Sequence, residues 1–378
     1  MPAKKVHLLI VDDIFPYLLS AFRVEEYNAY LERLPDAQVY STTTSYSFIP
    51  GTPSFEQVKA DYVVHYPHLA ARVRRWDLAS PPEADVAYTI FLNNACSFVD
   101  YFDSHRMPFS FTLYPGGGFQ LDDPTSDTKL RRVFKSPNFR EVIVTQRVTR
   151  DYLLDRCFCP AEAIAYIYGG VNPTPPQELP ARERFGEGRD TLDICFVAFK
   201  YSPMGRDKGY DVFIEAARQI SARAQEARFH VVGTFSPADI EIAALGDRIR
   251  FYGPQPRSFF PDFYRQMDII LSPNRPFVLA PGAFDGFPTA ACVDAGLAGT
   301  ALFCADELKL NESLEPGHNI VIVQPNADLC AEAILDFRAR PRDLAAIGEN
   351  GSKALRRLFS FEAQMEPRLA VLSRLLAM

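Results

Sequence analysis

The sequence predicts an α/β protein made of two Rossmann-like domains that face each other across a cleft. Short β-rich runs alternate with segments of helical periodicity from end to end, as in parallel sheets built from β–α–β units. The 378 residues also exceed what one hydrophobic core usually supports. A polar, proline-rich stretch without apolar periodicity, residues 173–190, predicts a linker. It separates an N-terminal domain, 1–172, from a C-terminal domain, 191–360, and a final helix, 361–378, is expected to pack back on the N-terminal domain.

The first domain is expected to contain seven strands separated by helices. The strands are Val6–Val11, Gln38–Ser41, Tyr62–His65, Ala87–Leu92, Phe109–Tyr114, Val142–Thr145 and Ile164–Tyr168, and the helices include Asn94–Ser104 and Arg147–Arg156.

The second domain repeats the alternation. Its expected strands are Asp193–Phe199, Phe229–Gly233, Ile249–Gly253, Asp268–Ser272 and Ala301–Cys304, and its expected helices are Gly209–Ala222, Arg257–Met267 and Thr289–Ala298.

Composition excludes several classes of protein. With 47% hydrophobic and 23% charged residues the chain resembles ordinary globular proteins, and its net charge of −7 argues against a general nucleic-acid binder. The apolar run at the N-terminus is too short for a signal peptide, and no run of 18 apolar residues occurs. We therefore expect a cytoplasmic protein, with the inner face of a membrane as an alternative location.

The seven cysteines are scattered and predict reduced core thiols. The only close pair, Cys157 and Cys159, has the spacing of neither a zinc site nor a Cys-x-x-Cys redox motif. We expect no metal and no cofactor.

Two cations and a glycine follow the first strand of the second domain. Arg206, Lys208 and Gly209 stand directly before an amphipathic helix. The free N–H groups of a helix N-terminus, together with Arg and Lys, suit a diphosphate. The alternative is a solvated helix start with ordinary surface cations.

A second cluster follows the strand Asp268–Ser272. It consists of Asp285, Gly286, Phe287, Pro288 and Thr289, and the helix after it carries Asp294. Small residues let the backbone approach a ligand, and an acid on the helix can accept hydrogen bonds from a ribose. A turn role for Asp285 and a solvent-facing position for Asp294 are the alternatives.

These motifs together resemble those of the family 4 retaining glycosyltransferases, which have the GT-B fold. The matching segments, in order, are Tyr168-Gly-Gly-Val-Asn172, Arg206-x-Lys208-Gly209, Phe251-x-Gly253, Asp285-Gly-Phe-Pro288 and Asp294-Ala-x-x-Ala298-Gly299. The resemblance covers about half of the chain, residues 166–300.

The resemblance implies a site that binds a nucleotide-diphosphate sugar. Arg206 and Lys208 would hold the diphosphate, Asp285 would contact the donor sugar and Asp294 the ribose. The remaining donor-binding residues that it implies are Gly209, Gly253, Pro254, Gln255, Gly286, Phe287, Pro288 and Thr289. The loop after Gly253, Pro254-Gln255-Pro256, would lie beside the nucleobase. The two acids are aspartates with one extra residue between them, whereas the family usually has glutamates.

The N-terminal half departs from the family in two loops. Asp12 and Asp13 stand where the family often has a glycine-rich loop, and Tyr114 and a triple glycine stand where many members have a histidine. We expect these residues, Asp12, Asp13, Tyr114, Gly116, Gly117 and Gly118, on the acceptor side of the cleft. The glycines lack the spacing of a dinucleotide or P-loop motif.

The resemblance implies sugar transfer with retention. No Asp-x-Asp pair occurs in the chain, so the usual metal-diphosphate site is missing and we expect the transfer to need no metal. Arg206 and Lys208 would take over the task of the metal ion. In an inverting reaction, Asp12 or Asp13 would be the natural general base. A nucleotide-sugar epimerase, a phosphorylase or a non-catalytic nucleotide-sugar-binding protein are the alternatives.

The expected partners are a nucleotide-sugar donor and a glycan, lipid-linked or small-molecule acceptor. Two basic stretches, His68–Trp76 and Lys129–Lys135, suit contact with an anionic lipid-linked acceptor at a membrane, and solvated helix faces are the alternative reading.

Overall fold

The computed structural model describes residues 6–49, 51–172 and 182–378, and the chain forms two compact units. Unit 1 comprises residues 1–173 and 361–378, and unit 2 comprises residues 174–360. Residues 173–181 of the expected linker lie outside the described residues. Residues 182–190 belong to unit 2, where the Arg182 guanidinium donates a hydrogen bond of 2.7 Å to the Met267 carbonyl.

Unit 1 contains a seven-stranded parallel sheet in the order β3-β2-β1-β4-β5-β6-β7. Its elements are β1 (Val6–Asp12), α1 (Ala21–Arg33), β2 (Ala37–Ser41), α2 (Phe55–His65), β3 (Val73–Arg75), β4 (Ala84–Ile90), α3 (Leu92–Ser104), β5 (Phe109–Leu113), α4 (Pro124–Phe134), β6 (Phe139–Val144), α5 (Arg147–Asp155) and β7 (Ile164–Tyr166).

Unit 2 contains a six-stranded parallel sheet in the order β12-β11-β10-β13-β14-β15, and a separate pair of two-residue strands. Its elements are β8 (Arg184–Phe185), β9 (Gly188–Arg189), β10 (Leu192–Ala198), α6 (Tyr210–Arg223), β11 (Ala227–Gly233), β12 (Ile249–Gly253), α7 (Phe260–Arg265), β13 (Ile269–Ser272), α8 (Ala290–Leu297), β14 (Ala301–Ala305), β15 (Val321–Val323), α9 (Ala327–Arg338) and α10 (Pro341–Leu358).

The α/β class and the two parallel-sheet domains are therefore confirmed, but one expected strand is wrong. Residues 62–65 lie in helix α2. Its Ser54 cap accepts a hydrogen bond of 3.2 Å from the Gln57 N–H, while the Gln57 side chain accepts one of 2.7 Å from the Ser54 N–H. This capping box starts a helix whose buried face overrides the local β propensity of the Tyr-Val-Val run.

The last helix, α11 (Phe361–Leu376), lies with unit 1. Its Arg368 is fully buried and donates hydrogen bonds to the Gly169 carbonyl, at 3.2 Å, and to the Tyr114 hydroxyl, at 3.3 Å. Met365, Leu372 and other apolar residues of α11 join the core of unit 1. Polar and apolar contacts together hold the helix there.

In the part of the chain that the structure describes, no helix is both long and apolar enough to cross a membrane.

Candidate active site in the C-terminal unit

The candidate site lies where the strand order of the second sheet reverses. Strands β10 and β13 are neighbours, and the chain continues from β10 outward in one direction and from β13 outward in the other. In open parallel sheets, ligands bind in the crevice beyond the carboxyl ends of the strands at such a reversal. The loops that follow β10 and β13 carry both clusters singled out in the sequence.

Arg275 fastens these two loops to each other. Its N–H donates a hydrogen bond of 3.0 Å to the Asp207 carbonyl, and its Nε donates one of 3.0 Å to the Arg206 carbonyl. Its Nη2 also contacts both carboxylate oxygens of Asp211, each at 2.7 Å. The base of the site is thereby fixed by four contacts from one side chain and its backbone.

Lys208 and Asp285 form the centre of the site. The Lys208 ammonium contacts both oxygens of the Asp285 carboxylate at 2.7 Å, and Asp285 also accepts a hydrogen bond of 2.6 Å from the Asn274 amide. The Lys208 side chain is 12% exposed and that of Asp285 38%. The Tyr201 ring lies over the ammonium, with its centroid 5.3 Å away. Both ions are thus held in place while the carboxylate stays open to solvent.

Asn274 is a residue that the sequence reasoning missed. Its carbonyl accepts a hydrogen bond of 2.8 Å from the Ser272 hydroxyl, which directs its amide towards Asp285. The signal was present, since Asn274 comes two residues after the end of β13, where ligand-binding side chains are expected.

Gly209 is required by the packing of the same two loops. It has φ of +72° and precedes α6, and a Cβ there would lie 2.1 Å from the Pro273 carbonyl oxygen. Only glycine allows this approach. Arg206, three residues earlier, is exposed.

A pocket that is open to solvent lies beside Asp285. Four residues predicted to contact the donor line this pocket: Asp285, Gly286, Phe287 and Thr289. Asn274, which the sequence did not predict, lines it as well. Pro288 lies between two of these residues. Asp306 and Glu307, on the loop after β14, line the pocket as well.

Asp294 lies outside the lining of this pocket and faces Arg257. Burial lowers the pKa of the Arg257 guanidinium, while the charge of Asp294 acts in the opposite direction. Arg257 follows the loop formed by Gly253, Pro254 and Gln255, which begins with φ of +68° at its glycine. The Gln255 amide donates a hydrogen bond of 2.5 Å to the Tyr252 carbonyl. Sequence reasoning missed Arg257, a cation two residues after Gln255 whose charge interacts with that of Asp294.

Chemically, this arrangement offers cations, a helix N-terminus and carboxylates within one pair of loops. Ammonium and backbone N–H groups bind phosphate oxygens, whereas carboxylates accept hydrogen bonds from sugar hydroxyls. Within residues 6–49, 51–172 and 182–378, no three His, Cys, Asp or Glu side chains are grouped so that they could hold a metal ion.

Asp12 occupies the corresponding position in unit 1, where β1 and β4 are neighbours at the reversal of strand order. It is completely buried. Its carboxylate accepts hydrogen bonds from the backbone N–H groups of Ile14 and Phe15, at 2.9 and 2.7 Å, and from the Tyr27 hydroxyl, at 2.9 Å. Burial raises the pKa of Asp12, and the Arg23 charge lowers it. Asp12 therefore holds the loop after β1 and does not reach an acceptor surface.

Asp13 is partly exposed and has three donors around it. It accepts hydrogen bonds from the Arg23 guanidinium, at 3.1 Å, from the Asn94 amide, at 3.3 Å, and from the Ser45 hydroxyl. The Arg23 guanidinium in turn lies over the Phe91 ring at 4.8 Å. Of the two adjacent acids, only Asp13 keeps access to solvent.

Tyr114 lies in the core of unit 1 instead of at the expected surface. Its hydroxyl donates a hydrogen bond of 2.8 Å to buried Glu26 and accepts one from Arg368. Burial raises the pKa of the Tyr114 phenol above its usual range. The residue joins α1, β5 and α11 in one polar cluster.

The triple glycine forms a tight turn against the start of α3. A Cβ at Gly117 would lie 2.2 Å from the Phe91 ring, and one at Gly118 would lie 2.0 Å from the Asn93 side chain. Space is open at Gly116. Internal packing therefore explains Gly117 and Gly118, whereas at Gly116 it is the backbone, with φ of +79°, that favours glycine.

The basic stretch on α4 is largely paired within unit 1. Lys129 donates a hydrogen bond of 2.8 Å to Asn93, and Arg132 forms an ion pair of 2.5 Å with Asp100. Contact with a membrane stays a prediction.

Residues 192–339 match the model of the family described as group 1 glycosyl transferases, and a comparison with curated proteins finds no match. Three solved structures show the same fold as the whole chain. Sucrose-phosphate synthase from Thermosynechococcus elongatus is 15% identical, with 98% of this chain and 99% of that chain covered and a TM-score of 0.65. HepE from Anabaena in complex with UDP is 17% identical, with 97% and 100% covered and a TM-score of 0.66. A putative UDP-N-acetylglucosamine 2-epimerase from Listeria monocytogenes is 11% identical, with 98% and 96% covered and a TM-score of 0.57.

At these identities the structural comparisons show the fold alone, because unrelated activities recur on one fold. The region that matches the family model contains Lys208, Asn274, Asp285 and Asp294. The two parallel-sheet domains of this chain have the fold of the GT-B glycosyltransferases, and its second domain matches the group 1 glycosyltransferase family model.

Proposed function

We propose that the protein is a glycosyltransferase that moves a sugar from a nucleotide-diphosphate sugar to an acceptor hydroxyl. The observation that carries this proposal is the contact of Lys208 with Asp285 beside an open pocket, within the region that matches a glycosyltransferase family model. It supplies a cation for the leaving group and an acceptor of sugar hydrogen bonds side by side.

In this proposal, the donor replaces the contact between Lys208 and Asp285 with contacts to the donor itself. The diphosphate takes the Lys208 ammonium away from Asp285, and the freed carboxylate accepts hydrogen bonds from the sugar hydroxyls. Arg206 and the N–H groups at the start of α6 add positive potential, while the backbone of Gly286, Phe287 and Thr289 borders the sugar. Asp294 binds the ribose, with Arg257 beside it.

The transfer proceeds with retention. The bond between the anomeric carbon and the diphosphate oxygen breaks as the acceptor oxygen bonds to the same face of that carbon, and the acceptor proton passes to the departing diphosphate. Lys208 and Arg206 stabilise the charge that develops on the leaving group, the task that a metal ion performs elsewhere. Removing such a charge typically slows the chemical step by about 10²–10³-fold.

A uridine nucleotide is the first donor to test. HepE, which shares the fold, has been solved with UDP and with UDP-glucose. The epimerase alternative also has support, since the Listeria structure of the same fold is described as a putative UDP-N-acetylglucosamine 2-epimerase.

The test is incubation of the protein with sugars linked to UDP, GDP and dTDP, with and without acceptors and with a chelator present. A transferase releases free nucleotide, slowly without acceptor and faster with one, and this release falls at least a hundredfold in Lys208→Ala. Anomeric coupling constants in the product establish retention or inversion. An epimerised nucleotide sugar without nucleotide release would support the epimerase instead, and tight donor binding without any turnover would support a binding protein.

A further inference from the structure

Exposed apolar side chains are concentrated on the two loops that carry the candidate site. Eleven large hydrophobic residues are exposed in the described part of the chain, and five of them lie on the loops after β10 and β13. We call these five residues the apolar rim: Phe199, Tyr201, Phe277, Val278 and Leu279. Single exposed hydrophobics are normal on a soluble protein, whereas several on the loops that border one pocket indicate a binding surface.

The loop after β13 is braced so that its three rim residues stay in solvent. The Phe277 N–H donates a hydrogen bond of 2.6 Å to the Ala283 carbonyl, and Arg275 fastens the start of the loop to Asp211. Phe277 has φ of +65°, a conformation that is costly for an aromatic residue. A strained, cross-braced loop that exposes three consecutive apolar residues is typical of a functional segment.

The apolar rim is continuous with the candidate donor pocket. Pro276, directly before the three exposed residues, and Phe284, five residues after Leu279, both line that pocket together with Asp285. On the opposite loop, Tyr201 lies over the Lys208 ammonium. A molecule that rests on the rim therefore stands next to the groups assigned to the diphosphate and the donor sugar.

The size and the charge of the apolar rim indicate whether it binds a protein partner, a membrane surface or a small apolar group. From their exposed fractions, the five residues expose on the order of 500 Å² together, below the roughly 800 Å² per partner that a stable dimer buries. Residues 276–284 include no Lys or Arg. On the other loop, Lys200 is paired with Asp239 at 2.5 Å, and Arg206 is assigned to the diphosphate, whereas segments that bind membrane surfaces combine apolar side chains with several basic ones. A single small apolar group fits both observations.

We infer that the apolar rim binds an alkyl or aryl group that the acceptor carries next to its reacting hydroxyl. This inference rests on the proposed glycosyltransferase activity, and it narrows the acceptor to molecules with an apolar aglycone. The rim would hold that group in contact with Phe277 and Leu279 while the hydroxyl reaches the donor sugar at the pocket.

The experiment compares octyl and methyl glycosides of glucose, galactose and mannose as acceptors. Wild type is expected to show a KM for the octyl glycoside at least about tenfold below that for the methyl glycoside, because the octyl chain buries apolar surface on the rim. In the double variant Phe277→Ser/Leu279→Ser, this ratio should fall to within about twofold of one. Leu78→Ser, at an 87% exposed leucine of unit 1, is the matched control and should keep the wild-type ratio.

Five outcomes would overturn the inference. The first three are an equal octyl preference in the rim variant and wild type, a wild-type dimer in light scattering that the rim variant dissociates, and sedimentation of wild type with phosphatidylcholine–phosphatidylglycerol vesicles that the variant loses. Normal nucleotide release without any alkyl preference would overturn the rim inference alone. Absence of nucleotide release with every donor and acceptor would overturn the proposed function, and the rim inference with it.

Discussion

Both sheets place carboxylates at the reversal of their strand order, and the two sets differ in what surrounds them. In unit 1, Asp12 is fully enclosed and satisfied by two backbone N–H groups and the Tyr27 hydroxyl. In unit 2, Asp285 is held by Lys208 and Asn274, yet it remains over a third exposed beside a pocket.

The difference shows that topological position alone does not make a ligand site. An ion whose hydrogen-bonding capacity is filled inside the core stabilises a loop, whereas one that is fixed in place and still open to solvent can exchange its partner for a ligand. Asp13, with three donors and partial exposure, lies between these two cases. Substitutions at the two positions should therefore affect different properties.

Asp12→Ala should have the largest effect, a loss of about 3 kcal/mol or more in the free energy of unfolding, because it leaves buried donors without an acceptor. Urea unfolding followed by circular dichroism measures it. Asp61→Ala, at an exposed aspartate of α2, is the control and should change stability by less than about 0.5 kcal/mol. An Asp12→Ala variant as stable as wild type would contradict the structural role.

Asp285→Asn should leave stability nearly unchanged and reduce kcat/KM for the donor about a hundredfold, since it weakens both the contact with Lys208 and the contact with the sugar. Steady-state kinetics of nucleotide release measure it. Asp239→Asn removes the partner of Lys200 on a neighbouring pair of loops and is the matched control. Equal losses in the two variants would mean that Asp285 acts only as a surface ion-pair partner.

Asn274→Ala should reduce donor turnover about tenfold, a smaller loss because the Lys208 contact with Asp285 remains. The corresponding variant in unit 1 is Asn94→Ala, which removes the amide donor of Asp13. Its rate of donor hydrolysis without acceptor should stay close to that of wild type. If Asn94→Ala impaired hydrolysis more than Asn274→Ala, the assignment of the donor site to unit 2 would be wrong.

The smallest effect concerns pH. Burial raises the pKa of Asp193, but hydrogen bonds from His230 and Thr191, helped by Arg189, outweigh it and leave that pKa below 3.8. Asp193 therefore contributes stability that is present above pH 3.8 and lost as the pH falls further. The pKa of Asp12 is raised, so its contribution is fully present below pH 3.8 and lost as the pH rises through its folded value.

The free energy of unfolding, measured between about pH 2.5 and pH 6, separates the contributions of the two carboxylates, because carboxyl groups titrate in this range. Asp193→Asn should flatten the fall in stability on the acid side, whereas Asp12→Asn should steepen it. Equal slopes in both variants would contradict these directions.

The candidate donor residues can be predicted from the sequence because each belongs to a short local motif. Lys208 and Asp285 each follow a strand and precede a helix, and the rule that ligands bind beyond the carboxyl ends of strands finds them. Asn274 satisfies the same rule but is a common loop residue, and only its hydrogen bond to Asp285 distinguishes it.

The surroundings of unit 1 were not accessible in the same way. Tyr114 is buried because Glu26 and Arg368, 88 and 254 residues away in the sequence, surround its hydroxyl. No local pattern reports such a contact. The helix at residues 62–65 is the opposite case, because a local signal for it exists. The Ser54–Gln57 capping box indicates a helix, but the β-branched residues that follow predict a strand.

The most direct test of the central claim is calorimetric titration of the protein with UDP, GDP and dTDP. Wild type should bind at least one of them, and Lys208→Ala should weaken that binding at least tenfold. Lys200→Ala, which removes a lysine of the same loop that pairs with Asp239, should leave it unchanged. Equal affinities in wild type and Lys208→Ala would contradict a diphosphate site at Lys208.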